Sequence, residues 1–306
     1  MYSQVIQVVE ALLESDSLPA SYAEDARAWF LPFAEELLND LQSNAGQTFF
    51  LGINGAQGTG KSTLAKLLTQ VIENQGYRVA NLSIDDFYLG KAAREALSKT
   101  CHPLFRTRGV PGTHDTRLLG ATLAQLRESD ETSTIRIPRF DKAIDDRLPE
   151  CEFDSIQGPI DLVILEGWFV GASPQTEDDL MTGINALEQK EDKDGVWRAS
   201  VNDALAHDYQ AIFKTLDRLV MLRAPSFEQV YEWRGLQERK LATSRGRGLG
   251  QNSGVMNETA LQRFIQHYER LTRHCLETLP DRADVVFHLD ANHRVQSRTD
   301  RQGQPA

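Results

Sequence analysis

Apolar residues recur at helical spacing in the first part of the chain. Two such patterns lie within residues 1–43, and the sequence LPAS at residues 18–21 separates them. Proline and small polar residues interrupt helices, whereas the apolar residues on either side define one face of each helix. The second pattern continues through Pro32. We therefore expect a helical N-terminal extension over residues 1–46.

Short apolar runs of the kind that form buried strands come next. TFFLGING at residues 48–55 is the first run, and RVANLSI at residues 78–84 is the second. Between them, KSTLAKLLTQVIENQG repeats apolar residues at helical spacing and ends at Gly76, which suits a helix C-cap. A strand, a helix and a strand in this order form a right-handed unit whose strands are parallel.

Further strands are predicted along the same plan, over IRIPRF, DLVILEGW, DRLVMLRA and DVVFHLD. The predicted fold is therefore α/β, with a parallel central sheet flanked by helices over residues 47–292. The acidic stretch from Thr176 to Gly195 is expected to form loops or an inserted surface segment. Residues 293–306 are polar, and we expect them to form a flexible tail.

Composition and charge narrow the functional classes. The chain of 306 residues carries 44 acidic and 33 basic side chains, and its net charge is −11. This charge argues against a nucleic-acid-binding protein, which needs a broad basic surface. The chain shows neither a signal peptide nor an apolar run near the roughly 20 residues that cross a membrane.

The cysteines are too few and too scattered for a disulfide framework or a zinc site; they are Cys101, Cys151 and Cys275. We expect a cytoplasmic protein that acts on a small molecule, without nucleic-acid or membrane partners. Its oligomeric state is left open, and its size is compatible with a monomer.

A phosphate-binding loop is present in eight consecutive residues. From Gly55 to Ser62 the chain reads GAQGTGKS, between a predicted strand and a predicted helix, which is the setting that such a loop requires. Its backbone N–H groups and the helix dipole favour phosphate oxygens. We expect ATP to be bound by Gly55, Ala56, Gln57, Gly58, Thr59, Gly60, Lys61, Ser62 and Thr63.

Two side chains of this loop have separate roles in the P-loop NTPase fold that it predicts. Lys61 would reach the β- and γ-phosphates, and the hydroxyl of Ser62 would be a ligand of Mg²⁺. Glu166, at the end of the apolar run LVILEG, is a further candidate for the metal. Strands ending in glutamate are common, so without the loop a solvated surface acid would explain Glu166 equally well.

Paired carboxylates close the second predicted strand. LSIDDFY places Asp85 and Asp86 there, followed by Tyr88. The strands of a parallel sheet deliver their carboxyl ends to one edge, so we expect Asp85 near the γ-phosphate. It could accept the proton of an alcohol or hold Mg²⁺ there, whereas either acid could instead cap the next helix. Asp86 and Tyr88 are candidate substrate contacts.

Two loops concentrate charge, glycine and proline. The candidates for substrate binding are Arg108, His114 and Asp115 in the first loop, and Arg139, Asp141 and Lys142 in the second. Guanidinium groups suit bidentate binding of a carboxylate or a phosphate. The alternative is that these charges are solvated on the surface.

The segment PSFEQVYEWRGLQERKLATSRGRG begins like a helix and becomes basic. A mobile lid of this kind supplies an arginine to the charge that develops during phosphoryl transfer, and Arg234 is the candidate. The alternative is an exposed helix in which Arg234 pairs with Glu238.

Several of these features together resemble the D-glycerate 3-kinase family of plants and fungi and its bacterial kinase-like relatives. The likeness runs from about Gly52 to Asp290 and rests on LSIDDFYL, on RG followed by GTHD, on PRFDK, on GP before VILEGW, and on VYEWR. In the wider group of uridine kinase, phosphoribulokinase and pantothenate kinase, the first acid of the DDFY motif resembles a catalytic base, which is Asp85 here. The resemblance also implies ATP, Mg²⁺ and substrate contacts from GTHD and PRFDK.

These observations lead us to expect an ATP-dependent kinase that phosphorylates a small hydroxy acid, with D-glycerate converted to 3-phosphoglycerate. A kinase of another alcohol, such as a nucleoside or a pantothenate-like compound, is the nearest alternative. A nucleotide-dependent switch is a second one, although the chain has no NKxD motif and the DxxG sequence at residues 192–195 lies in an acidic stretch and not after a predicted strand. Residues 176–197 and the basic SRGRGLG after Lys240 depart from the family pattern.

Overall fold

A computed structural model describes residues 2–245 and 258–301 of the chain. The α-helices in these ranges are α1 Tyr2–Ser15, α2 Ser21–Asp25, α3 Leu31–Ser43, α4 Lys61–Glu73, α5 Lys91–Thr100, α6 Thr116–Arg127, α7 Glu177–Leu180, α8 Ala186–Glu191, α9 Val196–Ala204, α10 Gln210–Phe213, α11 Phe227–Arg245 and α12 Glu258–Thr278. Single turns of π-helix lie at Ala26–Phe30 and Leu205–Tyr209, and short 3₁₀-helices lie at Ile84–Phe87, Pro103–Arg106 and Glu150–Glu152.

The strands are β1 Phe49–Gly55, β2 Val79–Ser83, β3 Thr134–Ile137, β4 Phe140–Asp141, β5 Asp146–Arg147, β6 Asp154–Gln157, β7 Leu162–Gly167, β8 Arg218–Arg223, β9 Val285–Leu289 and β10 Val295–Asp300. Six of them form one sheet in the order β10-β9-β8-β1-β7-β2. Its first five strands in chain order are parallel, and β10 is antiparallel to β9. The predicted α/β class with a parallel central sheet is confirmed.

Helices cover both faces of this sheet and bury its apolar side chains. Every residue of β1 and of β7 is buried, as expected for central strands of a parallel sheet. Helices α1 and α3 bury apolar residues in the same cluster as β1 and α4. Pro32 follows directly on the π-helical turn Ala26–Phe30, where the regular pattern of helical hydrogen bonds is already altered. The N-terminal extension therefore shares the core of the sheet.

Strand β3, within the predicted strand IRIPRF, lies outside the central sheet. It pairs antiparallel with β6 in a separate two-stranded sheet, and its residues alternate between exposed and buried. Its side-chain pattern correctly predicts a strand, but the pattern holds no information about the partner strand.

Strand β10 differs from the flexible tail that its polar composition predicts for residues 293–306. Backbone hydrogen bonds pair it with β9, and these bonds do not depend on apolar side chains. Arg298 also binds Glu36 of α3 with two hydrogen bonds, of 2.6 and 2.8 Å. Residues 302–306 lie outside the described part of the chain.

The acidic stretch at residues 176–195, which we expect to form loops, contains two short helices, α7 and α8. Two arginines bind them to the rest of the fold. Arg270 of α12 contacts both carboxylate oxygens of Glu188, at 2.8 and 2.7 Å, and Arg198 of α9 contacts Asp192 at 2.9 Å. These carboxylates are 0% and 1% exposed, so the net acidity of the segment conceals buried ion pairs. No helix in the described part of the chain has the length and apolarity to cross a membrane.

Replacing Glu188 tests how strongly this segment is held. We expect Glu188→Ala to lower the free energy of unfolding by about 3–5 kcal/mol, because Arg270 would remain buried without its partner. Denaturant titration followed by circular dichroism measures the change.

Glu191, in the same helix, provides the matched control. It forms an exposed ion pair with Arg263, whose side chain is 47% exposed, so Glu191→Ala should cost less than about 1 kcal/mol. Equal effects of the two substitutions would contradict the view that burial of the Glu188 pair holds α8.

Candidate functional site

The phosphate-binding loop lies between β1 and the first turn of α4. Gly58 and Gly60 have φ angles of +86° and +89°, which only glycine adopts without strain. A Cβ on Gly55 would lie 2.4 Å from the hydroxyl oxygen of Thr59, so this position also excludes a side chain. Thr59 closes the turn by donating a hydrogen bond of 2.9 Å to the carbonyl of Ala56. The glycines that define the motif are those that the backbone needs.

Three polar side chains meet at the start of α4. The hydroxyl of Ser62 donates a hydrogen bond of 2.8 Å to Oε1 of Glu166, and Nζ of Lys61 lies 4.0 Å from Oε2 of the same carboxylate. Glu166 is 6% exposed at the end of β7, and its Oε2 is buried without a hydrogen-bond partner. The alternative that Glu166 is a solvated acid on the surface is therefore excluded.

This arrangement fits a magnesium ion. Within the described residues, no group of three or more acidic, histidine or cysteine side chains is arranged to hold a metal. Mg²⁺ does not need one, since it usually takes one or two protein oxygens together with water and phosphate oxygens. Ser62 and Glu166 offer two such oxygens beside the loop, and the unpartnered Oε2 has capacity for a cation.

Asp85 lies after β2, in the 3₁₀-helix Ile84–Phe87. Its Oδ1 accepts a hydrogen bond of 2.9 Å from the hydroxyl of Tyr88, and its Oδ2 accepts one of 2.7 Å from Nζ of Lys142. Burial by itself would raise the pKa of this carboxyl, but the charge of Lys142, assisted by Lys61, lowers the pKa to about 2. Asp85 is therefore ionised at neutral pH. Lys142 of the second candidate loop contacts it directly, and Tyr88, which donates to it, stacks on His114 of the first loop.

Asp86 contacts a different cation and does not cap the following helix. It accepts a hydrogen bond of 2.7 Å from Arg139 and one of 3.3 Å from the backbone N–H of Phe140. Burial raises its pKa, and the charge of Arg139 opposes the rise. Arg139 also binds Asp154 at 2.7 Å, so its guanidinium is shared between two carboxylates.

His114 faces the same region as Tyr88. The two rings stack with centroids 4.4 Å apart, and their backbones form a β-bridge. Nδ1 of His114 lies 2.7 Å from the hydroxyl of Tyr209, which also accepts a hydrogen bond of 3.1 Å from the N–H of Gly112. Burial lowers the pKa of His114 to about 3, so the ring is neutral.

The tautomer of this ring follows from its partners. Tyr209 keeps its proton, because burial raises the pKa of its hydroxyl. Because the oxygen of Tyr209 accepts a hydrogen bond from Gly112, its O–H donates a hydrogen bond to Nδ1, and the proton of the neutral histidine is then on Nε2. Nε2 is buried and has no partner within the described residues. His114 can therefore donate a hydrogen bond to a ligand oxygen.

Arg108 lies over the ring of Phe140, with its guanidinium carbon 5.4 Å from the ring centroid. Its carboxylate partner is Asp145, which is also bound by the buried guanidinium of Arg94 at 2.9 Å. Two guanidinium groups thus share one carboxylate. Around Asp145, two cations therefore face one carboxylate, whereas Arg139 is one cation that faces two carboxylates.

The remaining candidates in the two loops make local contacts. Asp115 caps α6 by accepting a hydrogen bond of 3.0 Å from the N–H of Leu118, and it forms an ion pair with Arg147 at 3.2 Å. Asp141 accepts a hydrogen bond of 2.7 Å from the N–H of Ala143 in a turn. These contacts shape the loops. Of the two acids, Asp115 is the one that also forms an ion pair.

Arg234 lies in α11, with its guanidinium carbon 5.7 Å from the ring centroid of Phe264. Its charge acts on the hydroxyl of Tyr268, which is also within electrostatic range of Asp85 and Arg108. Arg234 therefore belongs to the same charged region as the acceptor loops. The side chain of Glu238 lies outside the described part of the chain, as do the side chains of the other basic residues predicted for the lid, namely Arg239, Lys240, Arg245 and Arg247. The structure does not describe residues 246–250 of the sequence SRGRGLG.

A cleft of about 470 Å³ adjoins the phosphate-binding loop and was not predicted from the sequence. Its walls come from the loop itself, from residues 16–30, from Leu222 of β8, from α11 at Trp233 and Leu236, and from the end of β9 with the turn after it. Residues from these five separate segments line it, and no local pattern in the sequence indicates such an assembly. Tyr209 was missed for the same reason, since it lies 95 residues from His114.

Comparisons with known proteins match both the loop and the whole chain. A family model described as methylmalonyl-CoA mutase-associated GTPase MeaB matches residues 20–88, which include the phosphate-binding loop and Asp85. The "uncharacterized kinase mug58" of Schizosaccharomyces pombe is 35% identical over 270 residues, which cover 79% of this chain and 92% of that protein.

Two matches carry the name of one enzyme. The chloroplastic D-glycerate 3-kinase of Arabidopsis thaliana is 29% identical over 191 residues, covering 60% of this chain and 40% of that protein. The solved structure of D-glycerate 3-kinase from Cryptococcus neoformans superposes with a TM-score of 0.73 at 25% identity, over 89% of this chain and 99% of that one. Together with the match along nearly the whole of the S. pombe kinase, these similarities show that the chain belongs to the D-glycerate 3-kinase family of ATP-dependent P-loop kinases.

Proposed function

We propose that this kinase transfers the γ-phosphoryl group of ATP to the terminal hydroxyl of D-glycerate and so forms 3-phosphoglycerate. The observation that carries the proposal is the ionised Asp85, which pairs with Lys142 and lies within electrostatic range of Lys61 in the phosphate-binding loop. The names of the similar proteins from A. thaliana and C. neoformans support glycerate as the acceptor. We assign the reaction to the cytoplasm.

Asp85 is proposed as the catalytic base. A carboxylate that accepts the proton of the attacking hydroxyl also orients its oxygen for in-line transfer. Lys142 holds this carboxylate ionised in the absence of a substrate, and its side chain is 60% exposed, so it can move away without a large penalty. Removal of that positive charge would raise the pKa of Asp85 and make it a stronger base once an acceptor is bound.

The nucleotide end of the site requires cations and metal ligands. ATP supplies the phosphoryl group, and Mg²⁺ neutralises phosphate charge when it is bound. We assign Lys61 to the β- and γ-phosphates, Ser62 and Glu166 to the metal, and Arg234 to the charge that develops during transfer. Glu166 contacts the side chains of both Ser62 and Lys61 and so holds them in place beside the loop, which limits the reorganisation needed before reaction.

The carboxylate of glycerate is assigned to Arg108. Sequence alone leaves Arg108 and Arg139 as equal candidates, but their partners differ. Arg139 already binds Asp86 and Asp154, whereas Arg108 shares its carboxylate with Arg94. An additional anion beside Arg108 balances charge, and beside Arg139 it would meet two carboxylates. A guanidinium with donors to spare suits bidentate binding of the substrate carboxylate.

A hydroxyl of glycerate is assigned to His114. Its unpartnered Nε2–H is a donor, and a buried polar group of this kind gains a hydrogen bond when a ligand oxygen arrives. In this assignment Asp115 and Asp141 do not contact the substrate themselves, and they contribute by fixing the shape of their loops. An analogue without the matching oxygen would leave Nε2 unpaired, so discrimination follows the functional groups of the acceptor more than its size.

A nucleotide-dependent switch is the second candidate, because the MeaB family model matches the loop region at residues 20–88. Incubating the purified protein with Mg-ATP or Mg-GTP and a panel of alcohols and hydroxy acids separates the candidates. Release of ADP that depends on D-glycerate supports the kinase proposal. GTP preference with acceptor-independent hydrolysis would favour a switch, and preference for a nucleoside or a pantothenate-like alcohol would favour a different kinase.

Substituting the loop lysine tests the nucleotide assignment. We expect Lys61→Ala to lower kcat/KM for ATP by roughly three orders of magnitude or more, because it removes a cation directed at the transferring group. Steady-state kinetics with saturating acceptor measures the loss. Lys99→Ala, at an exposed position of α5, is the control, and near-normal turnover of the Lys61 variant would overturn the nucleotide site.

Asp85→Asn tests the base. The amide keeps the shape of the side chain and cannot accept the proton, so we expect kcat to fall by roughly 100-fold or more while the affinity for ATP stays close to that of the wild type. In the wild type, the carboxyl pKa of about 2 in the free enzyme implies that kcat/KM for the acceptor loses no activity through Asp85 between pH 5 and about 8. A variant that changes only the affinity for ATP would make Asp85 a metal ligand and not the base.

The two arginines can be distinguished by their effects on KM. We expect Arg108→Ala to raise KM for D-glycerate by roughly 10- to 100-fold with little change in KM for ATP, since it removes a charged hydrogen-bonding partner of the substrate. Glycerol, which lacks the carboxylate, should be a poor substrate of the wild type and should not respond to this substitution. Efficient phosphorylation of glycerol by the wild type would refute glycerate specificity.

A further inference from the structure

The lining of the cleft beside the phosphate-binding loop has two chemically different parts. One part is the loop with Lys61, which suits phosphate. The rest of the lining, which we call the far end, includes a set of apolar and aromatic side chains, namely Leu18, Phe30, Trp233 and Leu289. Its volume of about 470 Å³ lies in the range of small-ligand pockets.

Acidic residues also border the far end, but each has a cationic partner. Asp16 binds Lys66 at 2.8 Å. Asp25 binds Arg294 at 3.0 Å and also accepts a hydrogen bond from the N–H of Val295. These pairs leave little unbalanced charge, so the far end fits an uncharged group better than a second phosphate. They also fix residues 16–25 to α4 and to the turn after β9.

One polar atom in this wall lacks a partner. The hydroxyl of Tyr22 is buried and accepts or donates no hydrogen bond within the described residues. Its ring packs against Phe30 with centroids 6.0 Å apart, which holds the side chain in place. Burial raises the pKa of this hydroxyl, so it keeps its proton and is available as a donor. A buried hydroxyl without a partner is destabilising unless a ligand completes it.

We propose that the turn and helix at residues 16–25 bind the nucleoside part of ATP, and that Tyr22 supplies a hydrogen bond to it. The proposal rests on the proposed use of the loop for the phosphates of ATP. The apolar lining encloses the base, the hydroxyl of Tyr22 contacts a nitrogen or oxygen of the nucleoside, and the loop binds the phosphates. The N-terminal helices thereby become part of the nucleotide site and determine how tightly a whole nucleotide binds relative to its phosphates alone.

Calorimetric titration with Mg-ATP and with Mg-tripolyphosphate tests this assignment. In Tyr22→Phe we expect the affinity for ATP to fall roughly threefold to tenfold, the loss of about one hydrogen bond, while the affinity for tripolyphosphate is unchanged. The melting temperature of the ligand-free variant should stay the same or rise, because the substitution removes an unsatisfied polar atom. A purely structural role for Tyr22 would lower it.

Tyr77→Phe is the matched control, since Tyr77 packs against the same apolar cluster and does not line the cleft. Equal ATP affinities of the wild type and Tyr22→Phe would overturn the proposal, and so would an equal loss of affinity for both ligands. A wild type that binds ATP no tighter than tripolyphosphate would refute the nucleoside site while leaving the loop assignment intact. A wild type that binds neither ligand would refute the loop assignment and the proposal together.

Discussion

The parallel register of three central strands is the constraint on which the site depends. Strand β1 pairs with β7 so that Ile53 lies opposite Glu166, and β7 pairs with β2 so that Ser83 lies opposite the same glutamate. The phosphate-binding loop, Glu166 and Asp85 therefore emerge together at one edge of the sheet. A shift of one residue in either pairing would turn Glu166 or the residues before Asp85 to the opposite face. Full burial of β1 and β7 on both faces makes such a shift costly.

The parts of the site that the sequence predicts are those that depend on local chain geometry. The loop from Gly55 to Ser62 has a fixed spacing because backbone N–H groups must surround phosphate. Asp85 and Glu166 each end an apolar run, and the rule that parallel strands end at one edge brings them to the loop. These predictions need only periodicity and one general property of parallel sheets.

The remaining features depend on contacts between distant residues, and composition hides them. The polar stretch after residue 293 forms an edge strand because backbone pairing needs no apolar side chains, and the acidic stretch before Gly195 is held by buried ion pairs with Arg198 and Arg270. The difference between Arg108 and Arg139 lies in the number of carboxylates around each. A sequence reveals the charge of a residue, but the neighbours that balance it become visible only in the folded chain.

The ion pair between Asp25 and Arg294 joins residues separated by 269 positions. A ribosome releases the chain from its amino end, so residues 16–25 and the loop are complete long before Arg294 appears. Until then Asp25 has no guanidinium partner, and the wall that contains the turn after β9 is missing. Closure of the nucleotide cleft therefore has to wait for a residue synthesised 269 positions after Asp25, and such long-range closure is slow compared with helix formation. An unfinished chain thus carries the complete loop motif but cannot yet assemble the cleft around it.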